Sequence, residues 1–177
     1  MEDNVLTDVE TTLKAALEAR ARLAGQPVPV VVVTPDPDFI ELELPCLTMQ
    51  LADVRRDPVR KDNERRVEKD VAALEAAIRP PTEPYDLGYT VAVHTENLRD
   101  ERLLLEQVLC LLAEQPALTT VVGGREVYLA PDASFRDTSK ERDIIQAVGI
   151  VVKARLEPDA AQTVLLALEH HPQVREV

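Results

Sequence analysis

The spacing of hydrophobic positions changes once near the middle of the chain, and this change predicts two adjoining elements. From Tyr85 to His94, bulky side chains alternate with small or polar ones, which is the period of a β-strand. From Asn97 to Glu114, apolar residues recur at helical spacing, and Asn97 can cap the first turn. Pro116 predicts the end of this helix. Its predicted buried face consists of Leu103, Leu104, Val108, Leu111 and Leu112.

A second amphipathic helix is predicted near the N-terminus. Thr7, with Glu10 three positions later, can form a capping box at or inside the start of the pattern. Gly25 is a natural stop signal, because glycine readily adopts the left-handed conformation that ends many helices. The apolar positions of this pattern are Val5, Leu6, Val9, Leu13, Ala16, Leu17 and Leu23.

Short runs rich in β-branched residues predict further strands on both sides of the central one. Val28–Thr34 and Leu44–Val54 are two such runs, and Pro45 places the start of the second near a sheet edge. Val121–Leu129 predicts two strands joined by a Gly-Gly turn, and Asp143–Leu156 predicts a further strand. The order of elements predicts an α/β chain of the α+β type, with two amphipathic helices packed on a mixed, mainly antiparallel sheet.

Two segments each allow more than one conformation. The composition of Arg55–Arg79 favours a helix, but the same residues can form a long β-hairpin that extends from the body as an arm. The end of the chain, Glu157–Val177, fits either a strand centred on Val164–Leu168 or a short helix beginning after Pro158. The apolar stripe that favours a helix in the first segment is Val67, Val71, Leu74 and Ile78.

Length and composition fit one globular domain. The chain has 177 residues, of which 45% are hydrophobic, so it can bury a full core. We expect a single domain over residues 1–177, with 55–84 as a possible inserted arm or hairpin and 157–177 as a C-terminal extension. A net charge of −12 argues against a protein that wraps DNA or binds an anionic membrane. No secretory signal or transmembrane segment is predicted, so no membrane partner is expected.

The residue types that most often bind metals are few and poorly spaced. His94, His170 and His171 do not have the helical spacing of a metal site. His94 could share a strand face with Glu96, but two candidate ligands are too few. Cys46 and Cys110 lie in apolar surroundings, with no second ligand at metal spacing. We therefore predict no metal site, and we interpret both cysteines as buried, reduced thiols.

Catalytic and cofactor motifs are also missing. The sequence has neither Gly-x-Gly-x-x-Gly nor a Walker A pattern, so no cofactor is expected. Ser134 or Ser139 could be combined on paper with His94 and Asp132 into a Ser-His-Asp triad, but no nucleophile elbow supports the combination. A turn is the simpler interpretation of the segment around Ser134. We predict that the protein is not an enzyme.

One basic run stands out in this acidic chain. Residues 55–69 hold seven basic and four acidic side chains, a local charge of +3, so the remainder carries −15. This asymmetry could dock the segment on an acidic neighbouring subunit. A solvated loop whose charges neutralise one another explains the run equally well. The candidate contact residues are Arg55, Arg56, Arg60, Lys61, Arg65, Arg66 and Lys69.

Four stretches, taken in order, resemble the tail-terminator proteins of long-tailed phages and related contractile injection systems. The resemblance lies in the order of these stretches and in their general residue pattern between Val5 and Leu156. They are Leu44–Leu51, Arg65–Asp70, the prolines Pro80 and Pro81 before Tyr85–Tyr89, and Asp100–Leu109 followed by Pro116–Leu118.

This resemblance implies a structural assembly protein. Members of the family form a homo-hexameric ring on the head-proximal end of a tail tube, where the ring stops polymerisation of the tube and, in contractile systems, of the sheath. The implied partners are further copies of the chain, the tail tube protein and possibly sheath and neck or connector proteins, with DNA only as passing cargo. The implied location is a virion tail or injection-system particle assembled in the host cytoplasm. Residues 55–79 would then be an arm that reaches a neighbouring subunit.

Two other classes of protein remain open at this point. A tail-tube or sheath-associated component would polymerise into long tubes, and a small cytosolic adaptor would stop at a dimer. Aromatic residues make up only 3% of the chain, which leaves few anchors for a large interface. For Tyr89 a place in the core is the better expectation. The aromatic candidates for an interface are Tyr85, Tyr89, Tyr128, Phe39 and Phe135.

Overall fold

The computed structural model describes residues 4–34, 42–60, 65–70, 73, 75–133, 146–156 and 162–165. Within these ranges the chain forms two helices and eleven strands. Helix α1 spans Val5–Arg20 and helix α2 spans Leu98–Glu114. The strands are β1 (Arg22–Leu23), β2 (Gln26–Pro27), β3 (Val30–Val32), β4 (Cys46–Arg56), β5 (Arg66–Asp70), β6 (Glu75–Arg79), β7 (Glu83–His94), β8 (Ala117–Thr119), β9 (Glu126–Pro131), β10 (Gln146–Leu156) and β11 (Gln162–Leu165).

The body is a six-stranded mixed sheet in the order β3-β4-β7-β10-β9-β8. Every pair in it is antiparallel except β3 with β4, so the predicted α+β class is confirmed. Helix α2 packs on β7, β9 and β10, whereas α1 contacts both edge strands, β3 and β8. One helix can reach both edges only because the sheet is curled, and α1 lies across its open side.

The core is formed mainly by the sheet face that carries the helices. The period of two in β7 is confirmed, since Leu87, Tyr89, Val91 and Val93 are all buried. They pack with Leu13 and the other apolar residues of α1 and α2 in one cluster. Phe39 and Phe135 lie outside the described residues.

Tyr89 is the largest fully buried side chain, as expected for a core residue, but its hydroxyl makes no hydrogen bond within the described residues. Burial, with a smaller contribution from Glu10, raises the pKa of Tyr89. Since an unpaired buried hydroxyl destabilises a fold, we expect Tyr89→Phe to raise the free energy of unfolding by about 1 kcal/mol. Urea unfolding followed by circular dichroism measures this change. A destabilised Tyr89→Phe protein would contradict the prediction.

Helix α1 begins at the first residue of the predicted pattern, Val5, but its cap and its end differ from the prediction. Its cap is Asn4, whose side-chain oxygen accepts a hydrogen bond from the Leu6 nitrogen at 3.1 Å, so the predicted capping box of Thr7 and Glu10 is wrong. The helix ends at Arg20 rather than at Gly25. Gly25, with φ of 81°, instead forms the turn between β1 and β2, because that turn requires a left-handed backbone.

Helix α2 matches its prediction at the start and departs from it on one side. The Asn97 side chain accepts a hydrogen bond from the Asp100 nitrogen at 2.9 Å, which confirms the predicted cap. Four of the five predicted buried leucines and valines are buried, but Leu103 is 42% exposed. Glu101 is buried instead, and its carboxylate accepts a hydrogen bond from the Gln146 nitrogen at 3.1 Å.

Strand boundaries correct two further predictions. Pro45 does not mark an edge strand, because β4 lies between β3 and β7 and the proline precedes its first paired residue. Val121 and Val122 are not in a strand but in the turn between β8 and β9, where Gly124 has the predicted positive φ, 59°. Cys46 is buried as expected, and burial raises the pKa of its thiol, but Cys110 is only half-buried.

The segment that allowed both helix and hairpin is a hairpin. Strands β5 and β6 pair antiparallel from Arg66 with Arg79 to Asp70 with Glu75, and β11 adds a third strand on the other side of β6. Sheet pairing has therefore overridden helix propensity here. In the terminal segment, β11 agrees with the strand interpretation rather than the helical one. Val71 and Leu74 lie outside the described residues.

Candidate subunit-contact surfaces

The basic run begins where β4 leaves the body of the sheet, and its first two arginines are paired within the chain. Arg55 forms an ion pair with Asp53 on the same strand. On the neighbouring strand, the Glu83 carboxylate accepts a hydrogen bond from Arg56 Nη2 at 2.6 Å. These two positive charges are therefore neutralised at the root of the arm.

Arg60 is held more tightly than either of them. Its guanidinium is only partly exposed and bridges the carboxylates of Asp57 and Asp86. The Asp57 side chain also accepts a hydrogen bond from the Val59 nitrogen at 2.9 Å, which fixes the turn after β4. Hydrogen bonding from Arg60 lowers the pKa of Asp57 from its ordinary value. Arg60 thus fixes the direction in which the arm leaves the sheet.

The outer part of the arm carries the remaining candidates. Arg65 and Lys69 are exposed, and neither forms an ion pair with another described residue. Lys61 lies outside the described residues, and for Arg66 only the backbone in β5 is described. A contact made by the charge of the arm therefore depends on its outer part, and the partner-contact role of all seven residues stays a prediction.

The arm also contains a shallow cavity of about 230 Å³. Three of its five lining residues are acidic; the five are Glu68, Lys69, Asp70, Glu75 and Ala77. Among the described residues, no group of three His, Cys, Asp or Glu side chains is arranged to hold a metal ion. Neither described helix is long and apolar enough to cross a membrane.

The Ser-His-Asp triad considered in the sequence analysis is not assembled within the described residues. His94 is half-buried and makes a hydrogen bond of 2.9 Å between its Nε2 and Thr48 Oγ1, and burial lowers its pKa. The Asp132 nitrogen donates to the carbonyl of Gly149, which is paired with Thr90 on β7. Thr90 is four residues from His94, or about 13 Å along the strand. Ser134 and Ser139 lie outside the described residues.

A second surface, which the sequence pattern did not reveal, is the turn Thr120–Arg125 between β8 and β9. We call it the valine turn, because Val121 and Val122 are each 66% exposed on it. The Asp8 carboxylate accepts hydrogen bonds from the Val122 nitrogen at 2.8 Å and the Gly123 nitrogen at 2.7 Å.

Thr12, one turn further along α1, completes this attachment. Its hydroxyl accepts a hydrogen bond from the Val121 nitrogen at 3.0 Å. Asp8 is only 5% exposed, and Thr12 is buried as well. An acidic residue and a threonine on the buried side of a predicted helix were the only available signal, and that signal does not reveal which loop they hold.

Comparison with known proteins finds similar structures but no similar sequences. No protein-family model matches the sequence, and no curated protein matches it. The sheath/tube terminator of PVC, an extracellular contractile injection system, aligns over 92% of this chain with a TM-score of 0.65 and 16% sequence identity. The tube-terminating cap of the anti-feeding prophage aligns over 89%, with a TM-score of 0.62 and 15% identity. This chain spans 60% of the first protein and 56% of the second, and it shares its fold with both tube terminators.

Proposed function

We propose that this protein is the tail terminator of a contractile injection system or related phage tail. As a closed homo-hexameric ring it caps the head-proximal end of the tail tube, stops polymerisation of the tube or sheath, and joins the tail to the neck or connector. It is a non-enzymatic component of the particle, assembled in the host cytoplasm. The observation that carries the proposal is the fold shared with two tube terminators over nearly the whole chain.

The arm supports the same proposal. The chain leaves the sheet between β4 and β7, and β5 and β6 form a hairpin there. Arg65 and Lys69 are exposed on it and form no ion pair with another described residue. In an acidic chain, such a projection complements the surface of a second copy and can set the register of a ring. In this proposal residues 1–177 act as one domain with 55–84 as an inserted arm, and β11 of the C-terminal extension 157–177 pairs with β6 of that arm.

Electron microscopy with the tail tube protein of the same system tests the proposal. The purified chain, added to preformed tubes, is expected to appear as one six-fold layer at a single end of each tube. Tube growth from added subunits should then stop at that end. An unrelated acidic protein of similar size is the control. Uncapped tubes, or polymerisation of the chain itself into long tubes, would contradict a terminator.

A further inference from the structure

The β8–β9 hairpin displays three large apolar side chains that do not pack in the core. Val121 and Val122 project from the valine turn, and Tyr128 is exposed on β9. Tyr128 lies on the same side of β9 as Glu126, and its hydroxyl donates to the Glu126 carboxylate at 2.7 Å. The hairpin therefore presents apolar surface together with one negative charge.

The valine turn is attached to α1 through the buried carboxylate of Asp8, and burying that charge is energetically unfavourable in itself. Burying a carboxylate such as that of Asp8 is unfavourable unless hydrogen bonds replace its water. Here the replacement bonds come from Val122 and Gly123, whose turn remains at the surface. A loop that is already ordered loses little entropy when it binds, so this arrangement suits a preformed contact element.

The outward side of α2 offers matching chemistry. Leu98 and Leu109 are exposed, and Arg102 lies between them on the same stripe, at spacings of four and seven residues. Arg102 forms no ion pair with another described residue. The stripe Leu98–Arg102–Leu109 thus combines apolar surface with the positive charge of Arg102, which can pair with Glu126, while the exposed Glu106 lies one helical turn from Arg102.

We propose that the β8–β9 hairpin of one copy packs against the Leu98–Arg102–Leu109 stripe of α2 in a second copy. The two valines and Tyr128 cover the leucines, and Glu126 faces Arg102. The two surfaces are different parts of the same chain, so each copy can both donate and accept a contact. Such a contact can repeat around a closed ring. The inference deepens the proposed function, because it names a contact between neighbouring subunits of the cap.

Cross-linking of the full-length chain tests this contact. All variants carry Cys110→Ser, and the buried native Cys46 is retained. Untagged Val122→Cys is mixed with size-tagged Leu109→Cys and oxidised. A mixed disulfide should form at about tenfold higher yield than with Ala15→Cys in place of Val122→Cys, because a packed contact raises the effective concentration of the thiols. Ala15 is an exposed control position on α1.

A charge exchange gives an independent readout. Arg102→Glu and Glu126→Arg should each lower the mass of the assembly measured by light scattering, and the double variant should restore it. A mixed disulfide no more abundant than in the control, with wild-type rings intact, would overturn this contact and leave the ring standing. A monomeric wild type without a mixed disulfide would also overturn it. A cross-linked assembly that does not cap tubes would support the contact and count against the terminator.

Discussion

Replacement of Asp8 by asparagine should lower the free energy of unfolding by about 2 kcal/mol, because it removes charge-assisted hydrogen bonds at a buried site. The carboxylate accepts from the backbone nitrogens of Val122 and Gly123. Asparagine keeps one acceptor oxygen but turns an NH₂ group toward the other backbone nitrogen, which loses its hydrogen-bond acceptor. Few single surface substitutions approach this effect.

Urea unfolding at neutral pH measures the loss, and Glu18→Gln is the matched control. Glu18 lies on the same helix, but it is partly exposed and pairs only with Lys14 at 3.7 Å. Exposed pairs of this kind contribute little, so the control should change stability by less than about 0.5 kcal/mol. Equal losses in the two variants would show that Asp8 does not hold the valine turn.

The acid response of the Asp8 variant provides a second signature. Burial alone would raise the pKa of Asp8, but hydrogen bonds from Val122, Gly123 and Thr120 and the charge of Arg125 outweigh it, so the pKa is lowered from 3.8. Because the unfolded chain has the higher pKa, this stabilisation is complete above 3.8 and disappears as the pH falls through the lower folded value. The stability of the wild type should therefore fall more steeply in acid than that of Asp8→Asn.

Removal of the arm should abolish ring formation while the body stays folded. The two ends of the arm are already neighbours, since the Asp57 nitrogen donates to the Pro84 carbonyl at 3.0 Å and Arg56 is paired with Tyr85. Residues 58–83 can thus be replaced by Asn-Gly, which suits a two-residue turn between Asp57 and Pro84. Ala76, the buried residue of β6, does not belong to the core cluster of the body.

The solution mass from light scattering, with circular dichroism of the same sample, checks the arm deletion. A folded body that no longer forms rings is the expected result. Full-length Arg65→Glu with Lys69→Glu tests the charge of the arm without shortening the chain, and it should also reduce the mass. Rings that persist in both variants would mean that the arm makes no essential subunit contact.

Elements with a long, regular period could be predicted from the sequence. Strand β7 and helix α2 are of this kind, and Asn97 was recognised because a capping side chain acts within its own turn. The error at Leu103 shows that the pattern does not fix the width of the buried face, since the adjacent Leu111 and Leu112 are both buried whereas Leu103, next to the buried Leu104, is exposed. Only the structure reveals that Glu101 takes a buried place in order to bond Gln146.

Features that depend on distant parts of the chain could not be predicted in the same way. Asp8 bonds a turn 115 residues away, and nothing in its own surroundings indicates that partner. The arm is a hairpin because β5, β6 and β11 pair, although the local composition favours a helix. In both cases the conformation is stabilised by pairing between residues far apart in the sequence, and the local spacing of hydrophobic residues does not reveal such pairing.

The position of α1 has a consequence for the order in which the chain folds during synthesis. This helix is made before the strands that it contacts, and one of them, β8, begins only at Ala117. At a usual translation rate, synthesis from α1 to β8 takes on the order of ten seconds. Until β8 has been made, α1 lacks this part of its packing. The packing of an early helix is thus completed only by a strand that is made much later in the chain.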